Sequence, residues 1–592
     1  MNRELSLVVL REIPEDGHLR QQWNTLVEQV EQPQVFYTYE WALAVQRAYS
    51  ATQRPLLFLA YGPGESLRGI GALAADTSGR HVSFLCATTA DYCDFLSLPD
   101  ERFQFVSEVF AELRRQNIRD IVLANLPADS ATSGAIRRAA RQHGYYRFAR
   151  TGYVCAQVSL LSQDRKSRQK PEIPRRKMVR RFLNAMGREA PVHLEHTRSW
   201  EALQPALPTF MQTHVARFLV TGRISNLARA ERRVFLEELS KLLSESGHLA
   251  VSRLMCGETS VAWNYGFQFR GTWFWYQPTF DSDLEKYSPG FCLLSKLIEE
   301  AADNPAIDEL DLGLGAEEYK DLFANHTRET LYVTVHDSAL AHTGEVLRYR
   351  AAKIATASPA VEAKMRGIIA RLRTLREHFV RQGTLRFLGW LGRRLREFFW
   401  SETEVLFYEW GGPAGAPLQG TRVVALDLNR LADAVVQYAE DPSTLTYLVR
   451  VARRLRSENA QGFGLVDAAG RFLHFAWTTA FDGFFLSELN AKVDAPAPDS
   501  VMLFDCWTPL SQRGKLYYGH TIALIAAETK ANGKRPWIFS AATNTASVRG
   551  VEKSGFQRRY SLVRKKVFGW QRVLGPRPTH SGVAAEQISA RA

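Results

Sequence analysis

Three stretches of the chain alternate short apolar runs with longer stretches whose apolar residues recur every three to four positions. In the first, "SLVVLREI" and "PLLFLAYG" read as strands, "RFQFVSEVFAELRRQ" as an amphipathic helix and "IRDIVLANL" as a strand again. In the second, helical patterns at "WEALQPALPTFMQTHVARF" and "ERRVFLEELSKLLSES" precede the strands "HLAVSRLMCG", "SVAWNYGFQF" and "TWFWYQPTF". An apolar helix, "KYSPGFCLLSKLIEEA", follows, and then the strand "IDELDLGLG". The third stretch opens with "TRVVALDL" and a helix near "LTYLVRVARRLRSE". It continues with the strands "GFGLVDA", "RFLHFAWTTA" and "VMLFDCW", then a loop, a helix and another strand. The pattern predicts an α/β fold of tandem mixed sheets flanked by helices.

Two cationic segments separate these blocks. "DRKSRQKPEIPRRKMVRRFLNAMGRE" carries two prolines and reads as a connector leading into a basic helix. "KMRGIIARLRTLREHFVRQGTLRFLGWLGRRLREFFW" sets Arg and Lys at the polar positions of a helical repeat. It suits either a helix bridging two domains or one lying on an anionic membrane surface. The boundaries that follow are 1–160, a basic connector at 161–189, 190–344, a basic helical connector at 345–403, 404–572, and a disordered tail at 573–592.

Composition narrows the class. The 592 residues are 45% hydrophobic, 11% aromatic and 23% charged, enough apolar material for several cores. The first residues lack the positive-then-apolar order of a signal peptide, and no run reaches the length of a spanning helix. The expectation is a soluble cytoplasmic protein. A formal net charge of +13 favours anionic partners. The six cysteines form no CxxC pair and the fourteen histidines do not cluster, so no metal site is expected. G-x-S-x-G, H-E-x-x-H and the phosphate-loop signature are absent.

The chemistry is expected where strands hand over to helices. In "KYSPGF", Ser288 stands at a helix N-cap, Pro289 at the first helical position and Gly290 where a ligand can come close. A helix start offers free amides and the positive end of a dipole, both suited to phosphate. The third block repeats the order: a strand, a loop with Arg513, Gly514 and Lys515, then an apolar helix. After it, "NTASVRGVEKSGF" carries Asn544 and Ser547.

These features resemble the GCN5-related N-acetyltransferase (GNAT) superfamily. There, a strand–loop–helix with an R/Q-x-x-G-x-G/A loop holds the pyrophosphate of acetyl-CoA. Aligned on Arg513, this sequence has Leu516 and Tyr518 where that loop carries small residues. The second block, with "FDSDLEKYSPG" and "DLGLGAEEYKDLF", resembles the BioF2-like, CelD-type acetyltransferases of cellulose and exopolysaccharide synthesis. That resemblance spans about residues 20–335 and implies a paired unit whose first half is degenerate and shapes the cleft. It implies acyl transfer, of acetyl from acetyl-CoA or of another acyl group from its CoA thioester, to an amine or hydroxyl of a sugar or exopolysaccharide precursor.

Such a reaction needs a base, a proton donor and groups that position the acceptor. The catalytic candidates are Asp281, Glu285, Tyr287, Asp311 and Glu318; Tyr319 and Lys320 are the substrate-binding candidates. Ser288, Pro289, Gly290, Arg513, Gly514, Lys515, Asn544 and Ser547 are the candidates for holding acyl-CoA. Weak association with an anionic membrane is open, and nucleic acid is not the expected partner. Two alternatives stand beside this reading: a Fem-like aminoacyltransferase using aminoacyl-tRNA, and a non-catalytic component of a polysaccharide assembly at the membrane.

Overall fold

A computed structural model describes residues 5–162, 166–315, 317–356, 399–412, 418–456, 459–568, 570–578 and 590–591. The chain divides into two compact units, residues 1–217 with 226–356, and residues 218–225 with 357–592. Most of the basic connector foreseen at 345–403 lies outside the described residues; its beginning is the end of a helix, Ala339–Thr356.

The first unit is built on one 13-stranded sheet. Its first half supplies β1 (Ser6–Leu10), β2 (Arg54–Tyr61), β3 (Leu67–Ala75), β4 (His81–Phe84), the short β5 (Leu96–Ser97), β6 (Asp120–Pro127) and β7 (Tyr146–Ser159). The second half supplies β8 (Val192–Thr197), β9 (Val251–Cys256), β10 (Thr259–Phe269), β11 (Thr272–Phe280), β12 (Glu309–Leu314) and β13 (His326–His336). The order is β1-β2-β3-β4-β6-β13-β7-β12-β11-β10-β9-β8, with β5 paired to β3.

Within it, parallel pairing occurs between β4 and β6 and between β11 and β12. Each parallel pair holds for three residues and then opens: Phe274 faces Asp311 in the last matched position of β11 and β12. The central strands are exchanged. β13, from the second half, lies between β6 and β7, while β7, from the first half, lies beside β12. Val333 on β13 faces Leu123 of β6 on one side and Ala149 of β7 on the other.

Helices flank the sheet. The first half carries α1 (Gly17–Gln29), α2 (Tyr39–Tyr49), α3 (Arg102–Arg115) and α4 (Thr132–Gln142). The second carries α5 (Arg176–Met186), α6 (Trp200–Leu203), α7 (Leu207–Val220), α8 (Ala230–Glu245), α9 (Pro289–Asp303), α10 (Glu318–Phe323) and α11 (Ala339–Thr356). The apolar repeat of "GFCLLSKLIEEA" explains α9: Cys292, Leu293, Leu294, Leu297, Ile298 and Ala301 are all buried against the sheet and α5. Full burial of each large aliphatic side chain stabilises by roughly 1.5–3 kcal/mol, which anchors the helix that faces the cleft.

The second unit has an eight-stranded sheet. Its strands are β14 (Trp400–Trp410), β15 (Thr421–Ala425), β16 (Ala460–Asp467), β17 (Phe472–Ala480), β20 (Ser500–Trp507), β21 (Arg535–Ala541), β22 (Phe556–Val567) and β23 (Trp570–Pro578). A small sheet holds β18 (Phe484–Leu486), β19 (Ala491–Val493) and β24 (Ala590–Arg591). The segment foreseen as a disordered tail from 573 instead continues β23 to Pro578, paired along β22. Among the described residues the unit also carries the helices α12 (Leu428–Gln437), α13 (Pro442–Ala452), α14 (Tyr517–Ala531) and α15 (Thr545–Lys553).

One strand order recurs three times: β1-β2-β3-β4-β6-β13-β7, then β8-β9-β10-β11-β12-β7-β13, then β15-β16-β17-β20-β21-β14-β22. In each, the fourth and fifth strands are parallel and the sixth comes from elsewhere in the chain. This is the tandem mixed-sheet architecture that the hydrophobic pattern predicts.

Candidate active site

Beyond Phe274 and Asp311, β11 and β12 separate, and the β11 edge from Trp275 onward has no strand partner on that side. The floor of this opening is polar. Asp311 is buried, with 2% of its surface exposed. Its carboxylate accepts from the Tyr92 hydroxyl at 2.7 Å, the Gln157 amide at 2.8 Å and the Gly313 N–H at 2.8 Å. Gly313 has a φ of 73° and allows the chain to turn back under this carboxylate.

A second carboxylate, Asp91, enters from the first half. Its Oδ2 lies 2.8 Å from where a Cβ on Gly313 would stand, and the Trp275 carbonyl is 3.4 Å from the same point. The Leu314 N–H donates to it. Asp91 keeps part of its surface open to solvent. Burial first, and then the charge of Asp311, push its pKa up to about 7, while Lys320 and Arg232 pull the other way.

The first half reaches this place because its own opening is filled. Past the β4–β6 pairing, Asn125 donates to the Ala87 and Ala90 carbonyls, and its carbonyl accepts from Cys93 N–H at 2.9 Å. The loop between β4 and β5 is thereby pinned over β6, and it carries Asp91 and Tyr92 across to β12.

The walls follow from the "YK" of α10 and from β11. The Trp275 indole donates to the Tyr319 hydroxyl at 3.1 Å. Burial raises the Tyr319 pKa, so its hydroxyl keeps its proton. Lys320 is buried, donates to the Leu314 carbonyl at 3.1 Å and pairs with Glu317 at 3.3 Å. Arg232 is buried, donates to the Tyr276 hydroxyl at 2.6 Å and also interacts with Tyr49. Tyr276 in turn donates to the Thr89 carbonyl.

At the mouth stands α9. Pro289 occupies the first helical position, and Cys292 N–H makes the first turn's bond to the Ser288 carbonyl at 3.1 Å. The amides of Gly290 and Phe291 therefore point out of the helix start without an intrahelical partner. Arg217 donates to the Pro278 carbonyl at 3.0 Å and stacks on the Phe280 ring at 4.4 Å, adding a cation near this helix start.

Two details differ from the sequence reading. Ser288 makes no side-chain cap; it sits at φ 46°, ψ 54°, closing the preceding turn through Glu285. The missing Cβ of Gly290 is explained by Phe280, whose Cδ1 lies 3.1 Å from that position. Asp281 accepts from Asp283 N–H and shapes the same turn, Glu285 is exposed, and Tyr287 packs by Phe182. Glu318 is exposed at the start of α10. Of the five catalytic candidates, the fold brings Asp311 into the opening, together with Tyr319 and Lys320.

Asp91, Tyr92, Gln157, Arg217 and Arg232 escaped the sequence reading. One signal was available: Asp91 and Asp94 are the sole charges in "FLCATTADYCDFLSL", where isolated acids in an apolar run mark buried carboxylates.

The second unit repeats the geometry at β20 and β21, which pair from Ser500–Arg535 to Leu503–Ile538. Gly514 has φ 80° and Leu516 φ 64°, and α14 starts directly after. Leu516 is 76% exposed, whereas Tyr518 turns inward onto Gly550 and hydrogen-bonds Ser547 at 3.0 Å. Neither of the two bulky residues therefore fills the loop by the same means. Arg513 donates to the Thr508 carbonyl, Lys515 to Gln512, and Asn544 caps α15 through Ser547 N–H. Among the described residues, no group of three or more metal-ligating side chains is placed to hold an ion.

Residues 174–321 match the family model described as an acetyltransferase (GNAT) domain. No curated protein matches the chain. Among solved structures, FemX is 9% identical over 53% of this chain and 95% of that one, with a TM-score of 0.40. The structure of L-PGS from Bacillus licheniformis is 12% identical over 51% of this chain and 95% of its own, with a TM-score of 0.34. The GCN5-related glucosamine N-acetyltransferase region of a fungal GH3 β-N-acetylglucosaminidase is 9% identical over 57% and 38%, with a TM-score of 0.28.

Proposed function

We propose that the protein is an acyl-CoA-dependent acyltransferase that moves an acetyl group to an amine or hydroxyl of a sugar or exopolysaccharide precursor. The observation that carries this reading is the opening between β11 and β12. It has a largely buried carboxylate that keeps part of its surface open at its base, and a helix N-terminus with Arg217 at its mouth. The α9 amides and Arg217 suit a pyrophosphate. The free β11 edge offers backbone groups to an extended pantetheine arm.

Asp91 takes the proton from the attacking N–H or O–H as the new bond to the acyl carbon forms. The thioester C–S bond breaks in the same exchange, and Tyr319 gives its proton to the departing thiolate. Lys320 and Arg232 support the ionised Asp91. Asp311, held by three donors, keeps Tyr92 and Gln157 in place beneath it.

Calorimetric titration of acetyl-CoA into the intact protein, a Gly290→Glu variant and an Arg513→Glu variant tests the reading. Loss of binding with Gly290→Glu alone is the expected result, because the new carboxylate meets phosphate at the α9 start. Loss with Arg513→Glu alone would move the site to the second unit. No binding to the intact protein would sink the reading. Binding of aminoacyl-tRNA that weakens steeply with salt would then favour the Fem-like alternative.

A further inference from the structure

We propose that one end of the second unit's sheet docks on an anionic lipid bilayer. Three neighbouring strands end there together: Trp400 opens β14, Val567 closes β22 and Trp570 opens β23, paired as Trp400–Val567–Trp570. Phe399 and Phe568 complete the tip, with ring centroids 5.6 Å apart and Phe568 N–H bonded to the Phe399 carbonyl. All five are exposed, from 46% at Val567 to 73% at Phe568 and 85% at Trp570. Single exposed apolar residues are ordinary, but five contiguous large ones at one sheet end mark an interaction surface.

The row behind the tip is basic. Lys566 faces Ser401 and Gln571, and in the next position Lys565 faces Glu402 and Arg572. Lys565, Lys566 and Arg572 bring three cations to these rows among the described residues, and Glu402 pairs with Lys565 at 3.7 Å. Each row is set back by about 3.3 Å. Aromatic rings at the tip and cations a few ångströms behind match the two layers of an anionic leaflet, acyl boundary and phosphate. A second copy of the chain fits worse, because a two-fold contact at the tip would bring the same cations together. Among the described residues no helix is long and apolar enough to cross a membrane, so the contact is a surface one.

Co-sedimentation of the full chain with phosphatidylcholine vesicles, with and without phosphatidylglycerol, tests this. The expected result is binding to the anionic vesicles that weakens with added salt. It should fall about tenfold or more in the double variant Phe568→Ser, Trp570→Ser. Neutralising Lys565, Lys566 and Arg572 to Gln should weaken it as well. As a second readout, a polarity-sensitive dye on Phe568→Cys should shift to the blue when anionic vesicles are added. The proposal falls if the intact chain ignores anionic vesicles, or if the tip variant binds as tightly as the parent with no dye shift. It also falls if the tip substitutions turn a dimer into a monomer without any lipid response.

Discussion

Asp91 concentrates the chemistry proposed for the cleft. Its proton is held in the folded protein up to about pH 7, whereas an unfolded aspartate loses its proton near about 3.9. The folded state thus binds more protons between these values. The stability tied to Asp91 is full below the lower value and is lost as pH rises through about 7. Activity should move the other way, with kcat/KM rising through the same pH as the base ionises. Asp91→Asn should lower kcat/KM by about 100- to 10,000-fold and flatten that limb. Its melting temperature above pH 8 should be unchanged or higher, because the cost of desolvating the Asp91 carboxylate is removed. A variant that melts early at every pH would assign Asp91 a structural role instead. Leu516 offers a separate test. A non-glycine residue in the left-handed region costs about 1–2 kcal/mol, and glycine gives back about 0.5–1 in chain entropy. Leu516→Gly should therefore stabilise the second unit by up to about 1 kcal/mol, read as a higher denaturation midpoint, since the exposed Leu516 side chain packs little.

At the scale of elements, the exchange of β7 and β13 is the decisive feature. Each of the two halves completes its sheet with a strand of the other. A proline in the middle of β13 removes a ladder hydrogen bond in the centre of the sheet, where proline is hardly ever tolerated. Val333→Pro should consequently melt both halves together, and hydrogen exchange should show β6 and β12 losing protection in step. Loss confined to β13 and its nearest neighbour would show that the halves fold independently. The exchange also explains why the cleft uses both halves: β7 supplies Gln157, and the loop after β4 supplies Asp91 and Tyr92, all within reach of β12.

For the whole molecule, two compact units with their own buried clusters imply two cooperative transitions. Scanning calorimetry of the full chain should resolve them. Val333→Pro should lower one and Leu516→Gly raise the other, each leaving its counterpart in place. A single transition shifted by both variants would show that the units melt as one. Among the described residues, parallel strands part at three places: past β4–β6 the chain's own loop fills the gap, past β11–β12 Asp91 and Asp311 line it, and past β20–β21 the loop with Leu516 follows.

The periodic apolar pattern determined the elements by itself. Strands such as "PLLFLAYG" and the helix "GFCLLSKLIEEA" lie where alternation and helical repeat place them, because burial of those faces overrides other preferences. The Ser-Pro-Gly start and the "YK" of Tyr319 and Lys320 were legible too, since helix starts and short motifs are local. The exchange of β7 and β13 was not legible, because strand order depends on contacts between residues more than 150 positions apart, such as Gln157 and Asp311. Nor was the place of Asp91. In the sequence it is one acid in an apolar run; only the fold sets it beside Asp311, and burial then raises its pKa into the working range of a base.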